Sequence, residues 1–105
     1  MSDDEIEIRR YTYHCFSSRD RDDVVLFLYD KRSSVVGQVF AVPDGEPLPP
    51  AERRDGRAVL YFHRGAIPQI VDLLRNEKPV YLQWNNGRDT ALTTGYEPIG
   101  EGEGT

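Results

Sequence analysis

The residues of this chain that could act as nucleophiles, bases or metal ligands are few and scattered. The 105 residues include one cysteine and two histidines, and no CxxC, HxH, HExxH or GxSxG spacing occurs. A zinc site needs three or four converging ligands, and nucleophilic catalysis needs a nucleophile, a base and an orienting acid. His14 points to the opposite side of a strand from its neighbour Cys15, so it cannot act as a base for that thiol. Only Cys15 and His63 therefore merit a test as catalytic residues. We therefore expect no enzyme, with no catalytic residue, no metal site and no cofactor.

Arginine and tyrosine are interleaved near the start of the chain, at Arg9, Arg10, Tyr11 and Tyr13. Sheets that bind single-stranded nucleic acid stack bases on aromatic rings and hold phosphates with basic side chains. Tyrosine is also a favoured strand residue. Seven acidic residues lie in residues 1–8 and 97–105, where no basic residue occurs, and they weaken attraction for phosphate. Nucleic-acid binding is therefore an alternative hypothesis, and it is not the favoured one.

Further candidate binding residues are spread along the chain. Tyr29, Tyr81 and Trp84 are aromatic residues with polar tips, which are enriched at protein interfaces. Arg53 and Arg54 end a proline-rich segment and could hold an anionic group, although neighbouring acidic residues partly neutralise them. The complete predicted set is Arg9, Arg10, Tyr11, Tyr13, Tyr29, Arg53, Arg54, Tyr81 and Trp84.

Length and composition favour one soluble, folded domain over residues 1–105. Hydrophobic residues make up 38% of the chain, and no apolar run approaches the ~20 residues of a membrane span. The single cysteine has no internal disulfide partner, which fits a reducing compartment, so we expect a cytoplasmic protein without membrane contact. Residues 1–5 and 97–105 are predicted to be acidic flexible tails, because like charges and glycines disfavour order.

The hydrophobic pattern predicts six strands and one helix. An apolar stripe at Ile67, Ile70, Val71 and Leu74 predicts a helix over about 66–76, with Pro68 in its first turn. The first strand keeps a single apolar face only if a bulge lies near residues 9–10. The predicted strands are 6–16, 24–29, 35–42, 58–63, 80–84 and 88–96.

Short connections without βαβ spacing predict an α+β fold, in which an antiparallel five- or six-stranded sheet in β-β-β-β-α-β-β order carries one helix on one face. Gly37 predicts a bulge or a close backbone approach. A three-residue hairpin loop at 85–87 would pair Thr90 with Leu82 and Leu92 with Val80. Residues 43–57, with four prolines and two glycines, predict a long Pro/Gly/Arg-rich loop that is either functional or mobile.

The strand at 24–29, Val-Val-Leu-Phe-Leu-Tyr, is apolar at every position, which predicts that both of its faces are covered. A helix of ~16 Å is too short to cover a sheet of five or six strands. A curled sheet, a second copy of the chain, a ligand or a partner must close the second face. We therefore expect a small non-enzymatic binding module that uses its sheet face, as a homo-oligomer such as a homodimer or with a protein partner.

Overall fold

A computed structural model describes residues 5–20, 22–85 and 90–94. Within these ranges the chain forms eight strands, a 3-10 turn (Arg64–Ala66) and one α-helix, α1 (Ile67–Asn76). The strands are β1 (Glu5–Ile8), β2 (Arg10–Cys15), β3 (Val24–Tyr29), β4 (Val35–Val42), β5 (Glu52–Arg54), β6 (Arg57–His63), β7 (Val80–Gln83) and β8 (Ala91–Thr94). The predicted tails lie outside the described ranges, except for Glu5, which begins β1.

The strands form two sheets. One has five strands in the order β2-β3-β4-β6-β5, and the other has three in the order β1-β7-β8. Every described strand pair is antiparallel except β4 with β6, which is parallel. The predicted α+β class with one helix is confirmed for the described residues, whereas the prediction of a single antiparallel sheet is wrong.

The predicted first strand, 6–16, is divided between the two sheets. β1 pairs with β7, and β2 pairs with β3. Arg9 lies between them, and its backbone N–H donates a hydrogen bond to the carbonyl of Tyr29 at 2.8 Å. The interrupted alternation that suggested a bulge near residues 9–10 is therefore the point where the chain passes from one sheet to the other.

The segment 43–57 is a crossover that makes two strands parallel. β6 runs beside β4 in the same direction, from Gly37 opposite Ala58 to Val42 opposite His63. A connection between parallel strands needs a dozen or more residues. The length of this segment is therefore consistent with parallel pairing of the strands that it joins. Its last part forms the short edge strand β5, which pairs with β6. An edge position agrees with the prolines, which disfavour an interior strand.

The register of β8 against β7 differs from the predicted register by two residues. Leu82 lies opposite Leu92, and Val80 lies opposite Thr94. A shift of two residues keeps each side chain on its predicted face, and it brings two leucines together. The hairpin position Gly87, and residues 88, 89, 95 and 96 of the predicted strand, lie outside the described residues.

The main core lies between the five-stranded sheet on one side and α1 with the three-stranded sheet on the other. α1 buries Ile67 and Ile70 and has Pro68 in its first turn, as the apolar stripe predicts. No helix in the described part of the chain is long and apolar enough to span a membrane. The buried core cluster consists of Ile8, Leu26, Leu28, Val39, Ala41, Ala58, Leu60, Ile67, Ile70 and Leu82.

Gly37 of β4 lies close to a leucine of each sheet, Leu82 and Leu28. A Cβ atom added to Gly37 would lie 2.8 Å from Cδ1 of Leu82 and 3.1 Å from Cδ1 of Leu28. These separations are shorter than ordinary carbon contacts, so a larger residue at this position requires the leucine side chains to shift. The pairing of β3 with β4 shifts register between Leu28 and Tyr29, beside Gly37, in agreement with the predicted bulge, whereas the closest contacts of Gly37 are with side chains and not with backbone.

Two carboxylates hold the turn that precedes α1. Arg64 Nη2 donates to Asp23 Oδ1 at 3.0 Å, and the backbone N–H of Gly65 donates to Asp44 Oδ1 at 2.9 Å. The hydrogen bond from Arg64 lowers the pKa of Asp23 below its ordinary value. The start of β3 and the crossover segment are thereby tied to the end of β6.

Candidate functional site

Aromatic side chains line the side of the five-stranded sheet that faces away from the main core. Because strand side chains alternate, Leu26 and Leu28 enter the core while Val25, Phe27 and Tyr29 point the other way. We call this surface the aromatic face. It comprises Thr12, His14, Phe16, Val25, Phe27, Tyr29, Gln38, Phe40, Val42, Val59 and Tyr61, with Arg10, Glu52, Arg54 and Arg57 at its edges.

Ring contacts connect the side chains at the β2 edge of the aromatic face. The His14 ring meets Phe27 edge to face, with centroids 5.3 Å apart, and lies parallel to Phe16 at 5.9 Å. Cζ of Arg19 lies 3.8 Å from the centroid of Phe16, which is a cation–π contact. Tyr29 joins this group through its hydroxyl oxygen, which lies 3.2 Å from Oγ1 of Thr12.

A second group of contacts lies at the β5 edge. Phe40 and Tyr61 stack with centroids 5.9 Å apart, and the Tyr61 hydroxyl donates to Glu52 Oε2 at 3.0 Å. Glu52 also forms an ion pair with Arg54. Burial, and then the hydrogen bond to Glu52, raise the pKa of Tyr61, while the Glu52 carboxylate raises the pKa of Arg54.

The aromatic face has its own small apolar cluster under the rings. Val25 and Val59 are buried, yet neither belongs to the main core cluster. The strand register places Phe40 between Val25 and Tyr61. The rings of Phe40 and Tyr61 are half-buried. The rings therefore shield the valines and present their outer sides to the surroundings.

No described helix or second sheet packs on the aromatic face. α1 contributes Ile67 and Ile70 to the main core, and the three-stranded sheet contributes Ile8 and Leu82, so both lie on the opposite side. The helix and the small sheet together cover one face of the large sheet. Within residues 5–20, 22–85 and 90–94, no helix or second sheet covers the other face, and Arg19 from the loop between β2 and β3 lies over Phe16 at its edge.

The structure places three of the nine predicted binding residues on the aromatic face: Arg10, Tyr29 and Arg54. Tyr11 and Tyr13 point to the other side of β2, because alternate residues of a strand face opposite ways. Tyr11 packs against the main core, and Tyr13 is 49% exposed. The predicted arginine–tyrosine stripe is therefore divided between two surfaces.

The remaining predicted residues lie elsewhere. Cζ of Arg53 is 4.9 Å from the ring centroid of Trp84, and that indole packs against the main core. Tyr81 is a half-buried residue of β7 whose neighbour Leu82 enters the core, so Tyr81 lies on the outer side of the small sheet. Arg9 lies at the junction between β1 and β2. The structure does not bring these four residues to the aromatic face.

Several residues of the aromatic face were not predicted from the sequence. Phe27, Phe40 and Tyr61 form its centre, and His14 and Phe16 extend it. A signal for Phe27 was present in the unbroken apolar strand. Once the two leucines of that strand are assigned to the core, the phenylalanine between them must face the other way.

The two residues considered for catalysis have no contact with each other. Cys15 is exposed on β2, and a hydrogen bond with Cys15 raises the pKa of Tyr13. Nε2 of His63 donates to the carbonyl of Glu46 at 2.7 Å. Among the described residues, no group of three or more His, Cys, Asp or Glu side chains could hold a metal ion.

The geometry thus provides a surface for contact, with rings in the centre and charged groups around them. Comparison of the chain with protein-family models, with curated proteins and with solved structures gives no match. The arguments for function below use the contacts, burial and charges of this chain.

Proposed function

We propose that this protein is a non-enzymatic binding module whose aromatic face binds a second copy of the chain. The observation that carries the proposal is the outward-facing ring surface of Phe27, Phe40 and Tyr61, on the side of the sheet without a covering layer among the described residues. Aromatic residues and arginine are enriched in protein interfaces, which have a desolvated centre and a polar rim. This surface has both parts.

The charges at the edge of the aromatic face favour a second copy as its partner. A two-fold interface brings the same surface patch of both subunits together, so the patch must complement itself. Arg10 and Arg57 contribute positive charge to the edges, and Glu52 contributes negative charge. Rotation about a two-fold axis can bring the arginines of one copy to the carboxylate of the other, while the central rings pack in offset pairs.

A charge placed in the centre of the aromatic face tests this proposal. We expect light scattering to give twice the 12.0 kDa chain mass for the wild type and the single-chain mass for Phe40→Glu. Tyr13→Glu is the matched control, because Tyr13 is 49% exposed and points to the opposite side of β2 from the aromatic face. A monomeric wild type, or equal masses for wild type and Phe40→Glu, would contradict the proposal.

A second candidate function is single-stranded nucleic-acid binding by the same face. The observation in its favour is that Arg10, Arg54 and Arg57 lie beside the rings, together with the Glu52 carboxylate. Stacking of bases on aromatic rings contributes ~1–3 kcal/mol per base. Fluorescence anisotropy with a labelled oligonucleotide should show binding that weakens steeply with salt and is lost in Phe27→Ala. Absent or salt-independent binding would remove this candidate.

A further inference from the structure

A cavity of about 310 Å³ lies between the β1–β2 junction and the C-terminal end of α1. The junction contributes Arg9 and Arg10 to its wall, and the helix end and the turn after it contribute Arg75 and Lys78. The fold therefore brings cationic residues from two distant parts of the chain to one cavity, and Arg10 lies at its wall while its side chain is on the side of the aromatic face. No residue in the centre of the aromatic face lines this cavity.

The four cations have no partner for their charge in the described part of the chain. None of them forms an ion pair or a side-chain hydrogen bond with a described residue. Glu7 and Glu77 also line the cavity, so even without Arg10 the positive charges exceed the negative charges by one. Like charges held together repel each other, and a bound anion relieves that repulsion.

The negative end of the helix dipole explains only part of this cluster. Cations near a helix C-terminus are stabilised by that dipole, which gives Arg75 and Lys78 a structural role. The same role does not apply to Arg9 and Arg10, which follow β1 and are exposed. Their position beside the helix end is a consequence of the chain passing between the two sheets at this point.

We propose that this cavity binds a phosphate group. The planar guanidinium of arginine forms paired hydrogen bonds with phosphate oxygens, and lysine adds a compact positive charge. The volume lies at the lower end of the ~300–1,000 Å³ range of small-ligand pockets, which suits a small phosphorylated molecule. A phosphodiester of a nucleic acid offers the same chemistry, so the test must separate the two sources. The inference does not depend on self-association.

The test is a titration of the ¹⁵N-labelled protein at constant ionic strength with pyrophosphate and, separately, with a short single-stranded oligonucleotide. We expect saturable shifts of the backbone amides of Arg9, Arg75 and Lys78. Saturation by pyrophosphate identifies a small phosphate ligand, whereas saturation by the oligonucleotide alone identifies a phosphodiester. Absence of saturable shifts with both ligands would overturn the proposal.

Paired variants separate a specific site from a general effect of charge. Arg75→Gln with Lys78→Gln should weaken binding roughly tenfold or more, because two charge-assisted contacts are lost. Lys31→Gln with Arg32→Gln removes the same charge from an exposed turn and should leave the affinity unchanged. An equal loss in both double variants would overturn the proposal.

The same variants distinguish this site from the aromatic face. Phe40→Glu should leave the phosphate titration unchanged, and the Arg75→Gln, Lys78→Gln variant should keep the oligomeric mass of the wild type. Loss of phosphate binding in Phe40→Glu would overturn the assignment to the cavity. Failure of the wild type to self-associate would contradict the proposed function and leave the phosphate titration as an independent result.

Discussion

The two faces of the five-stranded sheet are made by the same strands and differ in composition and in cover. The buried centre of the core face is aliphatic, and Leu26, Leu28 and Leu60 are at most 2% exposed beneath α1 and the small sheet. The aromatic face places half-buried rings such as Phe27 and Phe40 over buried valines. One sequence of alternating residues thus gives a closed layer on one side and a contact surface on the other.

The two faces differ in the polar groups that their side chains carry, and this difference is related to how completely each face is buried. Aliphatic side chains can be buried completely because they have no group that needs a hydrogen bond. The two tyrosines of the aromatic face carry hydroxyl groups that are bonded locally, Tyr61 with Glu52 and Tyr29 with Thr12. Such a face tolerates water in the free chain and still offers apolar area to a partner.

The largest expected effect compares neighbouring residues of β6 on opposite faces. Leu60→Ala should lower the free energy of unfolding by ~2–5 kcal/mol, because it leaves a cavity in the closed core. Tyr61→Ala should cost less, about 2 kcal/mol at most, because its ring is half-buried and water can fill the space. Urea unfolding of both variants measures the difference. Equal losses would show that the two faces are equally closed.

A smaller effect is expected where the two sheets touch. Gly37→Ala places a methyl group against Leu82 and should lower the free energy of unfolding by ~1–3 kcal/mol. In a Leu82→Ala background the added methyl group has room, so the same substitution should cost much less. A double-mutant cycle from urea unfolding measures this coupling. Additive losses would contradict the close contact between the sheets.

On the aromatic face, loss of one hydrogen bond should have an effect of about 1 kcal/mol. Tyr61→Phe removes the hydroxyl that donates to Glu52 and keeps the stacked ring. The raised pKa of Tyr61 means that its contribution is fully present below the ordinary tyrosine pKa of about 10 and is lost as pH rises through the folded value. Unfolding measured from pH 9 to 11.5 should therefore decline less in Tyr61→Phe, and identical curves would count against this contact.

The smallest effect concerns the half-buried ion pair between Asp23 and Arg64. Because the pKa of Asp23 is lowered in the fold, its contribution is present above the ordinary aspartate value of about 3.9 and is lost as pH falls through the folded value. Asp23→Asn should lose this acid dependence and should leave both faces intact. Urea midpoints measured between pH 5 and 2.5 test the expectation. A wild-type dependence in the variant would exclude the pair as its source.

The sequence predicted the elements better than their arrangement. The helix, the strand at 24–29 and the register shift beside Gly37 follow from local patterns of apolar residues and glycine. The break at Arg9 and the parallel pairing of β4 with β6 depend on contacts between distant segments. An interrupted alternation cannot distinguish a bulge from a change of sheet, because both shift the apolar face by one residue.

The sequence predicted that one face of the sheet is not covered by the helix, but it did not identify most of the residues on that face. A single short helix indicated an uncovered face, but the side to which each aromatic residue points depends on which side the core occupies. Tyr11 and Tyr29 are the same residue type in predicted strands, yet Tyr11 packs on the core and Tyr29 lies on the aromatic face. The cavity with Arg9 and Arg75 depends on the junction of the two sheets, which local patterns do not contain.

The most direct test of the central claim is an isotope-filtered NOE measurement on a mixture of labelled and unlabelled chains. The mixture reports contacts between copies and excludes contacts within one copy. We predict intermolecular NOEs among the rings of Phe27, Phe40 and Tyr61. Intermolecular NOEs confined to other surfaces, or their absence at high protein concentration, would contradict the assignment of the aromatic face as the self-association surface.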